Sequence, residues 1–152
     1  MRNIVHISDI HFGKADRMIV DRLVEAVQAL KPDVVVVSGD LTQRARKTQF
    51  AEARAFLERL PSPQIVVPGN HDVPLYNVYH RFARPLENYR KYITPDLSPF
   101  FSDDEIAVAG INTARSMTFK NGRVSNKHAA SLAERFKPLD AAIAKIVVMH
   151  HP

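Results

Sequence analysis

The chain has 152 residues, a length that suits one domain with a sizeable core, and its 45% hydrophobic and 24% charged residues are typical of a soluble globular protein. It contains no cysteine, which excludes disulfides and thiolate metal ligands and fits a reducing compartment. No apolar stretch reaches the roughly 20 residues of a membrane span. Met1 leads into the first predicted strand with no room for a signal peptide, so we expect a cytoplasmic protein.

The formal net charge of +5 would attract an anionic partner. Many of the basic residues lie in or beside one amphipathic helix, at Arg44, Arg46, Lys47, Arg54 and Arg59. No aromatic residues interleave with them, as they do in grooves that bind single-stranded nucleic acid. We therefore interpret much of the charge as a solvated helix face and do not expect nucleic acid as a partner.

In the first half of the chain, three short apolar runs alternate with two amphipathic segments. The runs at residues 4–7, 34–37 and 65–67 are typical of strands covered on both faces of a parallel sheet. Between them, apolar residues recur at helical spacing at Ile19, Leu23, Ala26, Val27 and Leu30, and then at Phe50, Ala53, Leu57 and Leu60. This βαβαβ order predicts an α/β fold with a parallel sheet and right-handed crossovers.

After Asp72 this alternation stops. We interpret the proline-rich stretch 74–104 as a helical insertion near the mouth of a site. The remaining predicted elements are a strand over 106–111, a turn at Asn121-Gly122, a helix over 126–136 and a strand over 146–149. No repeat or linker divides the chain, so we predict a single domain over 1–152.

Polar residues that can bind a metal follow four of the predicted strands. The carboxyl ends of parallel strands meet at one edge of a sheet, which is where open α/β sheets bind ligands. From Asp9 to Asp40 is 31 residues and from Asp40 to Asn70 is 30, each close to the roughly 30 residues of one βαβ unit. We therefore predict that these side chains converge. They are Asp9, His11, Asp40, Asn70, His71, Asp72, His150 and His151.

Carboxylate, imidazole and amide oxygen form a mixed ligand set that suits divalent first-row metals. Burying such groups together without a compensating cation would cost several kcal/mol. Each short motif also occurs in ordinary turns or packing. Their combination at successive strand ends is what favours a metal site.

These motifs resemble those of the calcineurin-like metallophosphoesterase superfamily, whose pattern is DxH, GD, GNH[D/E], H and GHxH. The stretches SDIHFG, SGDLT, PGNHD and HHP are most similar to the branch of cyclic-nucleotide and related phosphodiesterases. The resemblance implies an α/β/β/α sandwich, of which this chain supplies the first parallel sheet and its helices. The GHxH motif does not occur, so the resemblance implies that the domain is truncated on its C-terminal side and lacks the C-terminal half of the sandwich.

The resemblance implies two divalent ions, which could be manganese, iron, zinc or cobalt, holding a bridging hydroxide. Asp9 and His11 would bind the first ion and Asp40 both. Asn70 and one histidine of the pair at 150–151 would bind the second, and we favour His150 because it follows the strand directly.

The resemblance also assigns catalytic roles to His71 and Asp72. The His71 ring would lie over the substrate and stabilise the transition state or protonate the leaving oxygen, while Asp72 would orient that ring. Gly39 and Gly69 would let the backbone turn tightly beneath the ions.

The implied activity is hydrolysis of phosphodiester bonds in a small substrate, such as a cyclic nucleotide. One alternative is a phosphomonoesterase or phospholipid-precursor pyrophosphatase of the same superfamily. Another is a catalytically incomplete fragment that binds metal or phosphate, because the GHxH motif is absent. An absent second sheet would also leave one sheet face uncovered, and we expect self-association through that face.

Overall fold

The computed structural model describes residues 1–74, 83–114 and 123–151. The first half forms β1 (Ile4–Ile7), α1 (Arg17–Leu30), β2 (Val34–Ser38), α2 (Lys47–Leu57), β3 (Gln64–Val67) and a 3-10 turn over Asn70–Asp72. The second half forms α3 (Glu87–Tyr92), β4 (Phe100–Ser102), β5 (Ile106–Gly110), α4 (Asn126–Phe136) and β6 (Ala144–Val148). The turn predicted at Asn121-Gly122 lies outside the described residues.

The first three strands form the predicted parallel sheet, in the order β1-β2-β3. Every residue of the central strand β2 is buried, which explains why it is a continuous apolar run rather than an alternating one. Val35 and Val37 contribute to the core beneath the helices, whereas Val34 and Val36 point to the other face. The α/β fold class is thereby confirmed.

A second sheet, in the order β4-β5-β6, covers that other face. In it β4 runs antiparallel to β5, and β5 runs parallel to β6. Ile106, Val108 and Val148 pack in one cluster with Val34 and Val36, which are 0% and 3% exposed. The expectation that one face of the first sheet is uncovered is therefore wrong for these residues, because the chain itself supplies three strands of the second sheet.

This arrangement also corrects the position of the last strand. The apolar run before His150 was predicted to join the first sheet, but β6 pairs with β5 in the second. A buried apolar run has the same composition in either sheet, so sequence alone cannot distinguish the two. His150 therefore approaches the carboxyl ends of the first sheet from the facing layer.

Helix α1 forms as predicted, beginning at the N-cap Asp16, whose carboxylate accepts a hydrogen bond of 2.8 Å from the backbone N–H of Met18. The buried side of α1 is narrower than its apolar pattern, since Val20, Val24 and Val27 are buried and Leu23 is partly buried against the same core. Ile19 and Leu30, which contributed to the helical pattern, are 66% and 61% exposed.

The predicted insertion over 74–104 is only partly helical. Residues 75–82 lie outside the described residues, and α3 accounts for the helical part that can be seen. The end of the stretch, Phe100–Ser102, is instead a strand of the second sheet, where Phe101 contributes to the core between the sheets.

At the amino ends of the strands, one side chain connects the two sheets. Arg2, just before β1, lies 3.4 Å from the carboxylate of Asp33, just before β2. It also lies 2.8 Å from Asp103 and 2.7 Å from Asp104, in the turn that leads into β5. This ionic cluster is at the end of the sandwich opposite to the predicted site.

None of the helices in the described ranges combines the length and apolar character needed to cross a membrane. The cytoplasmic location stays a prediction.

We expect Val108→Ala to lower the free energy of unfolding by about 1–3 kcal/mol, because it removes methyl groups that are fully buried between the sheets. Val124→Ala is the matched control, since that side chain is 42% exposed and should change stability by less than about 0.5 kcal/mol. Urea denaturation of both variants measures the difference. Equal effects would contradict the packing of the two sheets.

Candidate metal centre

The loops that follow β1 and β2 run side by side beyond the ends of the strands. The backbone N–H of His11 donates to the carbonyl of Asp40 at 3.0 Å, and that of Phe12 donates to the carbonyl of Leu41 at 2.7 Å. These bonds continue the parallel pairing past the sheet. They place the residues of the first motif next to Asp40.

Three residues of this site have left-handed backbone conformations. The φ angles are 58° for Asp9, 53° for His11 and 51° for Asp40. Residues other than glycine rarely adopt such angles, and each instance costs on the order of 1–3 kcal/mol unless the surroundings enforce it. The two loops enforce these angles through their shared hydrogen bonds, and strain of this kind is concentrated at functional sites.

The side chains of these three residues face one another. Candidate ligand atoms of Asp9, His11 and Asp40 all lie within 4.8 Å of one another. His11 Nε2 is 3.8 Å from Asp9 Oδ1 and 3.9 Å from Asp40 Oδ2. A nitrogen and two carboxylate oxygens around one space suit a divalent cation.

His150 approaches the same carboxylate from the second sheet. Its Nδ1 donates to the carbonyl of Ser38 at 2.8 Å, because a carbonyl can only accept. This bond leaves Nε2 facing Asp40 Oδ2 at 3.3 Å. An imidazole whose outer nitrogen is held by a carbonyl is the usual arrangement of a metal-binding histidine. The His151 ring packs against the His150 ring, with centroids 4.2 Å apart.

Two glycines allow this close approach. A Cβ atom on Gly39, which has a φ of 77°, would lie 2.6 Å from the His150 ring. A Cβ atom on Gly69 would collide with the carboxylate and the backbone nitrogen of Asp40. Gly39 is therefore required by both an unusual backbone angle and close packing, whereas Gly69 is required by close packing alone.

The His71 ring lies at the rim of this space, and its centroid is 4.9 Å from that of His11 in an edge-to-face arrangement. Its Nδ1 is 2.9 Å from the carbonyl of Gln43, to which it donates a hydrogen bond. The backbone N–H of His71 donates to Asp40 Oδ1 at 2.9 Å. Gln43 thus orients the catalytic candidate, and sequence analysis missed it because a backbone carbonyl leaves no signal in the choice of residue.

The structure corrects the role predicted for Asp72. Its carboxylate is buried and accepts hydrogen bonds from the backbone N–H groups of Leu41, Thr42 and Gly69 at 2.9–3.2 Å and from the Thr42 hydroxyl at 3.0 Å. Burial raises the pKa of Asp72 to about 6, although the backbone hydrogen bonds oppose that shift. Asp72 therefore connects the loops after β2 and β3, and the ring of His71 is oriented by Gln43 instead.

Buried atoms at the site indicate whether a cation fits. Among the described residues, His150 Nε2 is a buried nitrogen that makes no hydrogen bond, although it faces the Asp40 carboxylate at 3.3 Å. Asn70 Oδ1, in the third motif, is a buried oxygen. A buried imidazole nitrogen that makes no hydrogen bond lowers stability, and a bound cation would compensate for it. The donor set therefore fits a metal.

The charges of the metal-free site are coupled. Burial disfavours the charged forms of both His150 and Asp40, but their mutual attraction outweighs it. With help from the Ser38 carbonyl, the pKa of His150 rises to about 9. The nearby His150 ring and the backbone N–H of His71 lower the pKa of Asp40 below its ordinary value. Without a metal, the site therefore holds a proton on His150 at neutral pH.

Comparison with known proteins gives a consistent result. A family model described as calcineurin-like phosphoesterase matches residues 2–152. The chain is 34% identical over 80 residues to a glycerophosphodiester phosphodiesterase, GpdQ, of Enterobacter lignolyticus, a match that covers 45% of this chain and 29% of the relative. It is 32% identical over 114 residues to the DNA double-strand break repair protein Mre11 of Saccharolobus solfataricus, which covers 60% of this chain and 30% of that protein.

Among solved structures, the phosphopantetheinyl hydrolase of Mycobacterium tuberculosis has a similar fold. The TM-score is 0.53 at 16% sequence identity, over 99% of this chain and 68% of that one. This likeness supports the fold alone. The chain spans less than a third of the length of these two curated relatives.

We expect the metal-free chain to lose stability as the pH rises from 7 to 10. The pKa of His150 is about 9 in the folded chain and 6.5 in its ordinary state. Its contribution to the free energy of unfolding is therefore complete below pH 6.5 and is lost as the pH rises through 9. The loss should be on the order of 2–3 kcal/mol. Urea denaturation of the unaltered chain and of His150→Gln, both in chelator, measures this loss. Asp72 remains ionised from pH 7 to 10. A difference between the two proteins that does not vary with pH would contradict the pairing.

We expect Gly69→Ala to weaken binding of Mn²⁺ at least about 10-fold, because the added methyl group displaces the Asp40 carboxylate. Gly110→Ala is the control. Its Cβ would meet Val67 at 2.7 Å and Pro99 at 2.8 Å, neither of which is a candidate metal ligand, so it should lose stability and keep its affinity for metal. Calorimetric titration measures both. Unchanged metal binding in Gly69→Ala would contradict the geometry.

Proposed function

The chain belongs to the calcineurin-like phosphoesterase family, and we propose that it is a metal-dependent phosphoesterase that hydrolyses phosphodiester bonds in small substrates. The observation that carries this proposal is the convergence of Asp9, His11 and Asp40 on one space, with His71 at its rim. The glycerophosphodiester phosphodiesterase among the relatives supports the choice of phosphodiesters.

We propose that two divalent ions bind at this site. Asp9, His11 and Asp40 would hold the first. Asp40, Asn70 and His150 would hold the second, because Asp40 presents one carboxylate to both histidines, at 3.9 Å and 3.3 Å. When bound, the ions would supply Lewis acidity that activates water and polarises the phosphoryl oxygens. His150 must release its proton before it can bind a metal, so metal affinity should rise with pH toward about 9.

His71 would act on the leaving group. Its Nδ1 keeps its hydrogen in the bond to the Gln43 carbonyl, so Nε2 is the nitrogen available to the substrate. A ring protonated on both nitrogens can donate the Nε2 proton to the leaving oxygen as the bond to phosphorus breaks. The rigid attachment to Gln43 would keep this proton in place without reorganisation during the reaction.

We expect the protein to hydrolyse bis(p-nitrophenyl) phosphate in the presence of Mn²⁺, to lose this activity in chelator and to regain it when metal returns. Asp40→Ala should abolish both activity and metal binding, because its carboxylate serves both proposed ions. His71→Ala should keep its metal content and lose turnover by about 10²–10⁴, the usual effect of removing a positioned acid. Release of p-nitrophenolate and metal analysis measure the two properties.

The control is Glu134→Ala, an exposed carboxylate on α4 that should leave activity and metal content unchanged. Loss of metal in His71→Ala would contradict its assignment as an acid. Hydrolysis that persists in chelator, or in Asp40→Ala, would overturn the proposed function.

A further inference from the structure

A basic cavity of about 700 Å³ lies between α3 and the loop that follows β5. Its cationic lining residues are Arg84, Arg90 and Lys91, and its other lining residues include Leu86, Leu97 and Asn112. None of these residues belongs to the proposed metal site. The cavity therefore needs its own explanation.

One lining residue of the cavity, Asn112, lies at the same edge of the sandwich as the metal site. Gly110 is paired with Val148 in the second sheet, so Asn112 lies at the register position of His150, one strand away. The backbone N–H of Ile111 donates to the carbonyl of Val148 at 2.9 Å, which continues this pairing beyond β5. Neighbouring strands lie about 4.8 Å apart, so Asn112 places the cavity next to the site.

The charge of the cavity is positive. Among the described lining residues, Glu87 is the acidic one and forms an ion pair with Arg84 at 3.1 Å, while Arg90 and Lys91, which also line a second cavity, add two further cations. Leu86 is buried in the adjoining core, and Leu97 packs against the same core, so part of the wall is apolar. Cations beside a low-dielectric wall concentrate the local field and attract anions.

We propose that the basic cavity binds the part of the substrate beyond the scissile phosphate, and that this part ends in an anionic group on a short apolar arm. A second phosphate or a carboxylate has this chemistry, since Arg and Lys bind both. Leu86 and Leu97 would contact the arm. The inference rests on the proposed function, because it takes the ligand to be a substrate. Binding to the cavity can be measured without catalysis.

The first test is calorimetric titration of the metal-free chain with 1-naphthyl phosphate, 1-naphthoate and neutral 1-naphthol in chelator. The two anions should bind more tightly than the alcohol, and comparison of the two distinguishes phosphate from carboxylate. Arg90→Gln/Lys91→Gln should weaken anion binding about 10-fold. The control, Lys127→Gln/Lys137→Gln, removes the same charge from exposed positions in and beside α4 and should bind as the unaltered chain does. Equal affinities in the two double variants, or no preference for anions, would overturn the proposal.

The second test uses p-nitrophenyl phosphodiesters whose other arm ends in a phosphate, in a carboxylate or in a neutral methyl amide. The unaltered protein should have a higher kcat/KM for a charged arm, through a lower KM. Arg90→Gln/Lys91→Gln should remove this preference while its kcat/KM for the amide stays within about twofold. A preference that persists in this variant would refute the proposal. Failure to hydrolyse any of these esters would instead refute the proposed function, and the calorimetric result would still decide whether the cavity binds anions.

Discussion

The position of the Asp40 carboxylate is the constraint on which the rest of the site depends. One oxygen accepts the backbone N–H of His71, and the other faces the rings of His11 and His150. Gly69 packs against the carboxylate so closely that no side chain fits there. One side chain therefore sets the relative positions of both loops of the first sheet and of the strand that arrives from the second. An ion bound at the site would attract the Asp40 carboxylate in place of the protonated His150 ring.

The left-handed residues show how the fold maintains this position. A loop that bends at Asp9, His11 and Asp40 would relax in isolation, because each angle is unfavourable for a residue with a Cβ atom. The buried Asp72 opposes this relaxation at Asp40 by accepting hydrogen bonds from the loops after β2 and β3. A negative group without a cation in such a place is costly, as its raised pKa shows. The strained angles and the buried carboxylate lower stability but hold the ligands in a fixed arrangement, which is common at catalytic sites.

Much of this arrangement could be predicted from sequence, and the failures have physical causes. The parallel order of β1, β2 and β3 followed from buried apolar runs alternating with helical periodicity, and the strand ends then brought Asp9 and Asp40 together. The orientation of His71 could not be predicted, because it depends on the carbonyl of Gln43, a group that every residue has. Asp72 was assigned to that ring on the family resemblance, but the 3-10 turn directs neighbouring side chains to different surroundings. Apolar composition predicted that β6 is a strand without indicating its sheet.

The two ends of the sandwich are held together by different forces, and they should respond differently to salt. At the amino ends, the sheets are connected by the guanidinium of Arg2 and its carboxylate partners, all of which reach water and are 21% to 82% exposed. Dissolved ions shorten the range of such attractions to about 3 Å at 1 M. At the carboxyl ends, hydrogen bonds and close contacts at the glycines do not depend on screening, and the His150–Asp40 attraction is buried and is therefore screened much less. A related protein that works at high salt concentration would therefore need apolar contacts in place of the Arg2 cluster, whereas the carboxyl end of the sandwich would need no change.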